Sequence, residues 1–445
     1  LKKSQKIIVV LLGVLGLLLI LPFLIPTAKY LAQFERLASE LGGVPVKVEN
    51  AHLYFIPSPR LSLEGVTVGH EQDITVKSLV VVPSITSLFS STRAIVVNIY
   101  EPVIKDTAIP FITKLADSSS DHSAPAVMLT ELNVQGLLLL LPSIKLPQFN
   151  LHASFDKGAV LSRAEIVSED KQLEASLVPN EAGYAIVVNM QDWKLPLTKP
   201  FVVNSGQMDI VLSASKLDIP NISLRLYGGT LSGKAILDWQ KAWQLSGTLQ
   251  VKDLLLKEPT QMLNASTYLG GRLLANGKFS ANASSPDQLL NQLRANLTFR
   301  VNQGVLYGLD LVKVASFLVK QSAKGGQTQF DTFTGQLAVT GKRYHLKQMD
   351  VSSGLISAKG DVKINELEKL NGTGEVALKQ SVGLVSVPLI VSGTLDNPVV
   401  LPSKAALAGA AVGTAILGPG LGTSLGSKAG SAVSGLKNLF GGGDE

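Results

Sequence analysis

Histidine is the residue type in this chain best suited to general-base or metal chemistry, and its spacing offers neither. Histidines stand at positions 52, 70, 122, 152 and 345. No two lie at helical metal-ligand spacing, and no His-Glu-x-x-His segment occurs. The paired ring nitrogens that a zinc site takes from one helix face are therefore lacking. His52 and His152 fall in alternating apolar and polar segments and read as strand residues. Cysteine is absent, which removes thiolate nucleophiles, disulfides and cysteine-held metals together. No Gly-x-Ser-x-Gly elbow and no P-loop is present. Gly418-Pro419-Gly420 has proline where a dinucleotide turn cannot take it. Acidic residues are scattered along polar strand faces. The sequence thus predicts a non-enzymatic protein with no catalytic residues, no metal site and no cofactor.

Composition narrows the class further. Hydrophobic residues make up 46% of the chain, which excludes a disordered polymer. Charged residues are only 17%, below the roughly 25% of ordinary soluble domains, so part of the surface is not built to face bulk water. Aromatics are 6%, and the apolar content is mainly aliphatic. The net charge of +6 reads as a diffuse excess. No Lys/Arg run is longer than Lys2-Lys3, and no basic stripe of the kind that tracks nucleic acid is present.

The elements that position this apolar surface begin with an anchor. No charge occurs between Lys6 and Lys29, and Ile7 to Ile25 is apolar apart from Gly and one Pro. About 20 such residues span a bilayer. Lys2, Lys3 and Lys6 precede the stretch, which places the N-terminus in the cytoplasm and the rest of the chain across the membrane. A cleaved signal peptide would have a shorter core and a small-residue cleavage site; Pro22 and Pro26 stand there instead. An uncleaved single-pass anchor is expected.

After it, Tyr30, Phe34, Leu37 and Leu41 form one stripe of a helix over Lys29–Leu41, ended by Gly42-Gly43. This helix either caps a β core or lies against the membrane. From Val44 the period becomes two. Leu61-Ser62-Leu63-Glu64, Leu297-Thr298-Phe299-Arg300-Val301-Asn302 and the run Ile356 to Ile364 alternate apolar with polar, so each puts one set of side chains on each sheet face. Turn pairs such as Gly228-Gly229, Asn276-Gly277 and Asn371-Gly372 punctuate the runs. Short helices are predicted over Pro102–Leu115, over Pro286–Leu293 with Leu289, Leu290 and Leu293 on one face, and over Leu309–Leu318. A recurring theme of apolar residue, small polar residue and Gly, at Gly233, Gly247, Gly341 and Gly393, predicts bends that curve the sheet. After Pro402 the chain is rich in Gly and Ala, with Gly418, Gly422, Gly426 and Gly430 every four residues. That spacing suits close helix approach in membranes, but Pro419 and the scarcity of Leu favour a flexible tail or a surface hairpin over a second span.

The fold class that results is mainly β: an N-terminal transmembrane helix, then a long curved antiparallel sheet forming an apolar groove, with few short helices. One apolar face of so many strands must be covered, and long amphipathic helices to cover it are missing. Paired sheets would do it; so would lipid acyl chains. Burying a CH₂ is worth about 0.8 kcal/mol, so a 16-carbon chain gains on the order of 10 kcal/mol. The candidate groove positions are the apolar members of the alternating runs: Leu61, Leu63, Phe299, Val301, Ile356, Val362 and Ile364.

These segments resemble the AsmA family, whose relatives include TamB and other long envelope proteins. Gly42-Gly43-Val44-Pro45-Val46-Lys47-Val48-Glu49 and then Phe55-Ile56-Pro57-Ser58-Pro59-Arg60-Leu61-Ser62-Leu63 look like its opening strands and Pro-Ser-Pro turn. Ile99-Tyr100-Glu101-Pro102-Val103-Ile104 resembles the strand end that follows. Leu289 to Leu293, leading into Val301-Asn302-Gln303-Gly304-Val305-Leu306-Tyr307-Gly308-Leu309-Asp310-Leu311, is similar to the helix, strand and Gly-x-x-x-Gly-x-Asp-Leu element of its C-terminal region. Val387 to Pro398 resembles its closing strand. The resemblance implies an anchor over 1–27, an N-terminal β domain with its amphipathic helix over 28–205, a C-terminal β-groove domain over 206–402 and a tail over 403–445. It also implies a bacterial inner-membrane protein with its bulk in the periplasm, binding and transferring phospholipid in support of outer-membrane biogenesis. The alternative is a non-enzymatic scaffold that assists outer-membrane protein assembly. Expected partners are phospholipids, the inner membrane and outer-membrane or periplasmic assembly proteins, with no nucleic acid.

Overall fold

Alternation of apolar and polar residues becomes strand after strand. The computed structural model describes residues 31–408 except 33–34, 37, 41–42, 85–86, 88–92, 109–126, 142–143, 157–159, 197–198, 200, 265, 316–323 and 380–384. The protein is mainly β, with few short helices. It divides into two compact units between Pro200 and Phe201. A boundary at 205/206 would cut the strand Val202–Ser213, which belongs whole to the second unit. The segment Ile7–Ile25, expected to be an anchor, and the tail from 409 onward lie outside the described residues, among which no helix is long and apolar enough to cross a membrane.

The first unit holds β1 (Val46–Tyr54), β2 (Arg60–Val68), β3 (Ile74–Pro83), β4 (Arg93–Lys105), β5 (Val127–Leu141), β6 (Ile144–Lys145), β7 (Phe149–Asp156), β8 (Val160–Ser168), β9 (Leu173–Asn180) and β10 (Gly183–Lys194). β1 to β4 pair in succession and antiparallel, β5 pairs antiparallel with both β6 and β7, and β7 to β10 pair in succession and antiparallel, but β4 runs parallel to β5. That pair departs from the all-antiparallel expectation. A parallel neighbour needs a crossover of a dozen or more residues, and 106–126 is long enough to make it. The helix expected over Pro102–Leu115 is corrected at its start: residues 102–105 extend β4, 106–108 form a 3-10 turn, and the remainder is outside the described residues.

Cross-strand rows build the core of this unit. Ala51, Leu63, Leu79 and Ile99 stand opposite one another on β1 to β4. Leu63 is 2% exposed and packs with Val48, Val66 and Val76. Leu63 and Val66 are three residues apart, yet both face inward. Gly65 between them has φ +63°, a left-handed backbone turn open to glycine that re-aims the strand while its register with β1 and β3 stays unbroken. The described residues of the Lys29–Leu41 segment are helical, and they cap the edge of β1. Glu35 Oε1 accepts from the Val48 N–H at 2.7 Å, Ser39 Oγ accepts from the Val46 N–H at 2.8 Å, and Leu31 packs on the core. These contacts meet edge N–H groups that would otherwise invite another strand. Tyr30, Phe34, Leu37 and Leu41 lie outside the described residues.

The second unit is one antiparallel meander: β11 (Val202–Ser213), β12 (Lys216–Leu226), β13 (Gly229–Asp238), β14 (Trp243–Leu255), β15 (Tyr268–Ala283), β16 (Arg294–Leu309), β17 (Lys324–Thr340), β18 (Arg343–Ser352), β19 (Ile356–Ile364), β20 (Leu370–Leu378), β21 (Val385–Gly393) and β22 (Pro398–Pro402). Each strand pairs with the next, and among the described residues no pairing joins β22 back to β11, so the sheet curves without closing. Two helices ride on it, α1 (Lys257–Leu263) and α2 (Leu311–Ala315). Thr260 Oγ1 clips α1 to β15, donating to the Leu269 carbonyl at 2.7 Å and accepting from the Leu269 N–H at 3.0 Å. From α2, Val314 is 1% exposed and packs in a core of Ile356, Val376 and Val387.

Three further expectations are corrected. Over Pro286–Leu293 there is no α-helix but two 3-10 turns, Pro286–Gln288 and Leu290–Gln292. Their tighter pitch turns Leu290 out to 75% exposure, while Leu289 packs on Ala281 and Ala283. In the expected Leu309–Leu318 helix, Leu309 ends β16, only Leu311–Ala315 is described as helix, and 316–318 lie outside the described residues. The glycine theme does not mark a bend at Gly247, where the register with both neighbours runs unbroken; at Gly233 the register holds with β14 but shifts against β12, which carries an extra residue opposite Gly233–Ala235. Gly247 makes room instead: a Cβ there would overlap the Phe279 ring. Gly341 and Gly393 sit at strand-end turns. Three of the register shifts fall at polar residues in the left-handed region, Asp253 (φ +54°) on β14, Gln303 (φ +50°) on β16 and Gln348 (φ +49°) on β18; others fall on β12 between Ile219 and Ile222 and at Gly325-Gly326 on β17.

Candidate functional site

Those bulges decide which side chains meet. An extra residue inserted in a strand shifts the side-chain alternation by one. On β18, Leu346 and Met349 are an odd number apart but face the same way, because Gln348 takes up the shift. Val251 and Leu254, on either side of Asp253, are both buried for the same reason. The inner face therefore stays apolar through positions where a strict period of two would turn it polar.

On that face the strands from β15 to β22, with the start of α2, enclose a cavity of about 300 Å³. Phe330 and Phe333 form one wall, edge to face at 5.9 Å and 83°. Leu346, Met349 and Val351 of β18 form the next, and Leu389, Val391 and Val400 the far side. Between them, Gly360 on β19 faces Gly374 on β20 in register, and both line the space. The two strands are closely apposed there: a Cβ at Gly374 would stand 2.7 Å from the Lys359 carbonyl oxygen, and one at Gly360 3.3 Å from Met349 Cε. Thr328 is the cavity's buried hydroxyl, and its capacity is used. It donates to the Leu309 carbonyl and accepts from the Leu311 N–H, both at 2.9 Å. Among the described residues no buried side-chain polar atom lacks a partner, and no group of His, Asp and Glu is arranged to hold a metal ion. Such a space can exclude water and accommodate hydrocarbon; it offers no converging donors or acceptors to a reacting group.

The seven sequence-predicted positions divide. Val362 and Ile364 line the cavity. Ile356 is fully buried beside it in the core of Val376 and Val387 and does not reach the space. Val301, 1% exposed, and Phe299 belong to a neighbouring core with Val251 and Ala275, where Phe299 meets Phe333 edge to face at 5.1 Å. Leu61 and Leu63 are core residues of the first unit. Sequence reasoning missed Leu346, Met349 and the Gly360–Gly374 pair. The Asn371-Gly372 signal lay close by in β20, but it was read as a turn, and Gly372 is a strand residue opposite Val362.

The histidines stay apart. His52 and His70 are exposed, and His122 lies outside the described residues. His152 Nδ1 meets Asn133 Oδ1 at 2.6 Å, and His345 Nε2 meets Asp361 Oδ1 at 2.5 Å. The carboxyl of Asp209 is held below the usual carboxylate range by hydrogen bonds from the Gln207 and Asn221 amides at 2.8 and 2.9 Å. It lies on β11, opposite Asn221 on β12, and does not line the cavity. Set against known protein families and curated proteins, the chain matches neither a family model nor a characterised sequence.

Proposed function

We propose that this protein binds phospholipid by its acyl chains on the inner face of the second unit and passes it along without chemical change. The observation that carries this reading is the cavity itself. It is walled by aliphatic and aromatic side chains, its one buried hydroxyl is spent, and no second sheet pairs over it among the described strands. An acyl chain entering it leaves one apolar medium for another, and each CH₂ kept from water retains about 0.8 kcal/mol. At about 300 Å³ the space lies at the lower end of ligand pockets, suited to a segment of one chain while the headgroup stays in water.

The N-terminal stretch Ile7–Ile25, preceded by Lys2, Lys3 and Lys6, supports tethering to an inner membrane with the bulk in the periplasm. The resemblance to the AsmA family supports a role in outer-membrane biogenesis. The test is a photoreactive residue at Ile364 in the full chain in living cells. Phospholipid adducts there, and none from the outward-facing position Asn276, are the expected result. Adducts to protein alone would favour the scaffold of outer-membrane protein assembly.

A further inference from the structure

A second concavity, of about 830 Å³, lies on the outer face of β17 to β21 and is basic. Arg343, Lys347, Lys363 and Lys369 line it, with Asn371 and Ser392 as neutral partners, and no carboxylate is among its lining residues. Of the carboxylates beside it, Glu366 pairs with Arg343 at 3.7 Å and Asp361 with His345, while Glu368 precedes Lys369 on the turn without an ion pair among the described residues. Among the described residues, Lys347, Lys363 and Lys369 have no ion-pair partner. The register gathers them. Lys363 stands between His345 on β18 and Asn371 on β20, and Lys369 follows on the turn into β20. Three uncompensated ammonium groups with neutral donors beside them make a favourable place for a phosphate.

The basic cleft and the apolar cavity share residues. Ile364, Leu370 and Val391 line both. The end of the β19–β20 hairpin is therefore a rim with hydrocarbon space on one side and positive charge on the other. We infer that this rim is a headgroup site: the cleft holds the phosphate of an anionic amphiphile whose acyl chain lies in the cavity. The inference rests on the acyl-binding reading above and adds its selectivity, a preference for lipids of net negative charge over zwitterionic ones.

The test uses the full chain carrying the photoreactive residue at Ile364, mixed with vesicles of phosphatidylglycerol and phosphatidylcholine in equal amounts. Adducts are quantified by mass spectrometry. The expected ratio favours phosphatidylglycerol by about tenfold, the product of three exposed charge contacts each worth roughly twofold. The triple variant Lys347→Glu, Lys363→Glu, Lys369→Glu should bring the ratio to one or below, the phosphatidylglycerol yield falling further than the phosphatidylcholine yield, and added salt should act in the same direction. A ratio unaffected by the triple reversal overturns the headgroup site. Inorganic phosphate is titrated in parallel. Binding that persists unchanged in Val362→Asp, with no preference between the two lipids, would assign the cleft to a soluble phosphate and likewise overturn it. Absence of adducts to either lipid would instead defeat the acyl-binding reading itself.

Discussion

Thr328 closes the end of strand β16 by donating a hydrogen bond from its buried hydroxyl to the Leu309 carbonyl at 2.9 Å. The same oxygen accepts from the N–H of Leu311, the first residue of α2. One side chain thus satisfies the last acceptor of a strand and the first donor of a helix at the edge of an apolar cavity. Thr328→Val keeps the shape and leaves both backbone groups without a partner. It is expected to cost about 1–3 kcal/mol, read as a lowered denaturation midpoint, while Thr328→Ser retains most of the stability. Equal midpoints for Val and Thr would show that water replaces the hydroxyl.

Val362 is 8% exposed and faces the cavity. A carboxylate there meets hydrocarbon on all sides and draws water into the space. Val362→Asp is expected to abolish lipid adducts at Ile364 while leaving the circular dichroism of the strands in place. Leu346→Trp fills the same volume without charge and should also abolish them. Undiminished adducts in both variants would place the lipid elsewhere.

Gly247 lies in unbroken register under the Phe279 ring. Gly247→Ala forces the ring and the neighbouring strand apart and is expected to destabilise by roughly 1–3 kcal/mol. Gly354 has nothing within 4 Å of an added Cβ, so Gly354→Ala should be neutral or stabilising by up to about 1 kcal/mol. Equal melting temperatures for the two variants would refute the packing role of Gly247.

Asp209 gives a pH signature. The Gln207 amide, and after it that of Asn221, favours the ionised carboxyl and lowers its pKa in the folded chain. A group whose folded pKa is depressed stabilises the fold above its unfolded pKa, about 3.9 for Asp. That contribution is lost as pH falls through the lower folded value. Asn221→Leu removes one donor and should raise the Asp209 pKa measured by NMR titration. No movement would mean that Gln207 suffices alone.

Much of the fold was legible because a strand with one buried face writes its period into the sequence. The runs at Leu61–Glu64, Leu297–Asn302 and Ile356–Ile364 are strands in the structure, and among the described residues of each unit the strand pairings are antiparallel apart from β4 with β5. The short helices were less legible. Apolar residues three and four apart, as at Leu289 and Leu293, fit a 3-10 turn between strands as well as an α-helix, and local spacing does not distinguish them.

By itself the sequence determined the β class, the low charge, the absence of thiol chemistry and the two-residue rhythm that segregates apolar from polar faces. Tertiary structure alone decided which apolar residues became core and which became cavity wall. Ile356 and Val362 carry the same signal on one strand, yet Ile356 is sealed by packed neighbours while Val362 borders open space. The physical reason lies in partners distant along the chain. Bulges at Asp253, Gln303 and Gln348 re-aim whole strand segments, and the strands they bring together set which residues wall the cavity. A one-dimensional pattern records the hydrophobicity of each position, but not which strand stands beside it or how much volume its neighbour leaves unfilled.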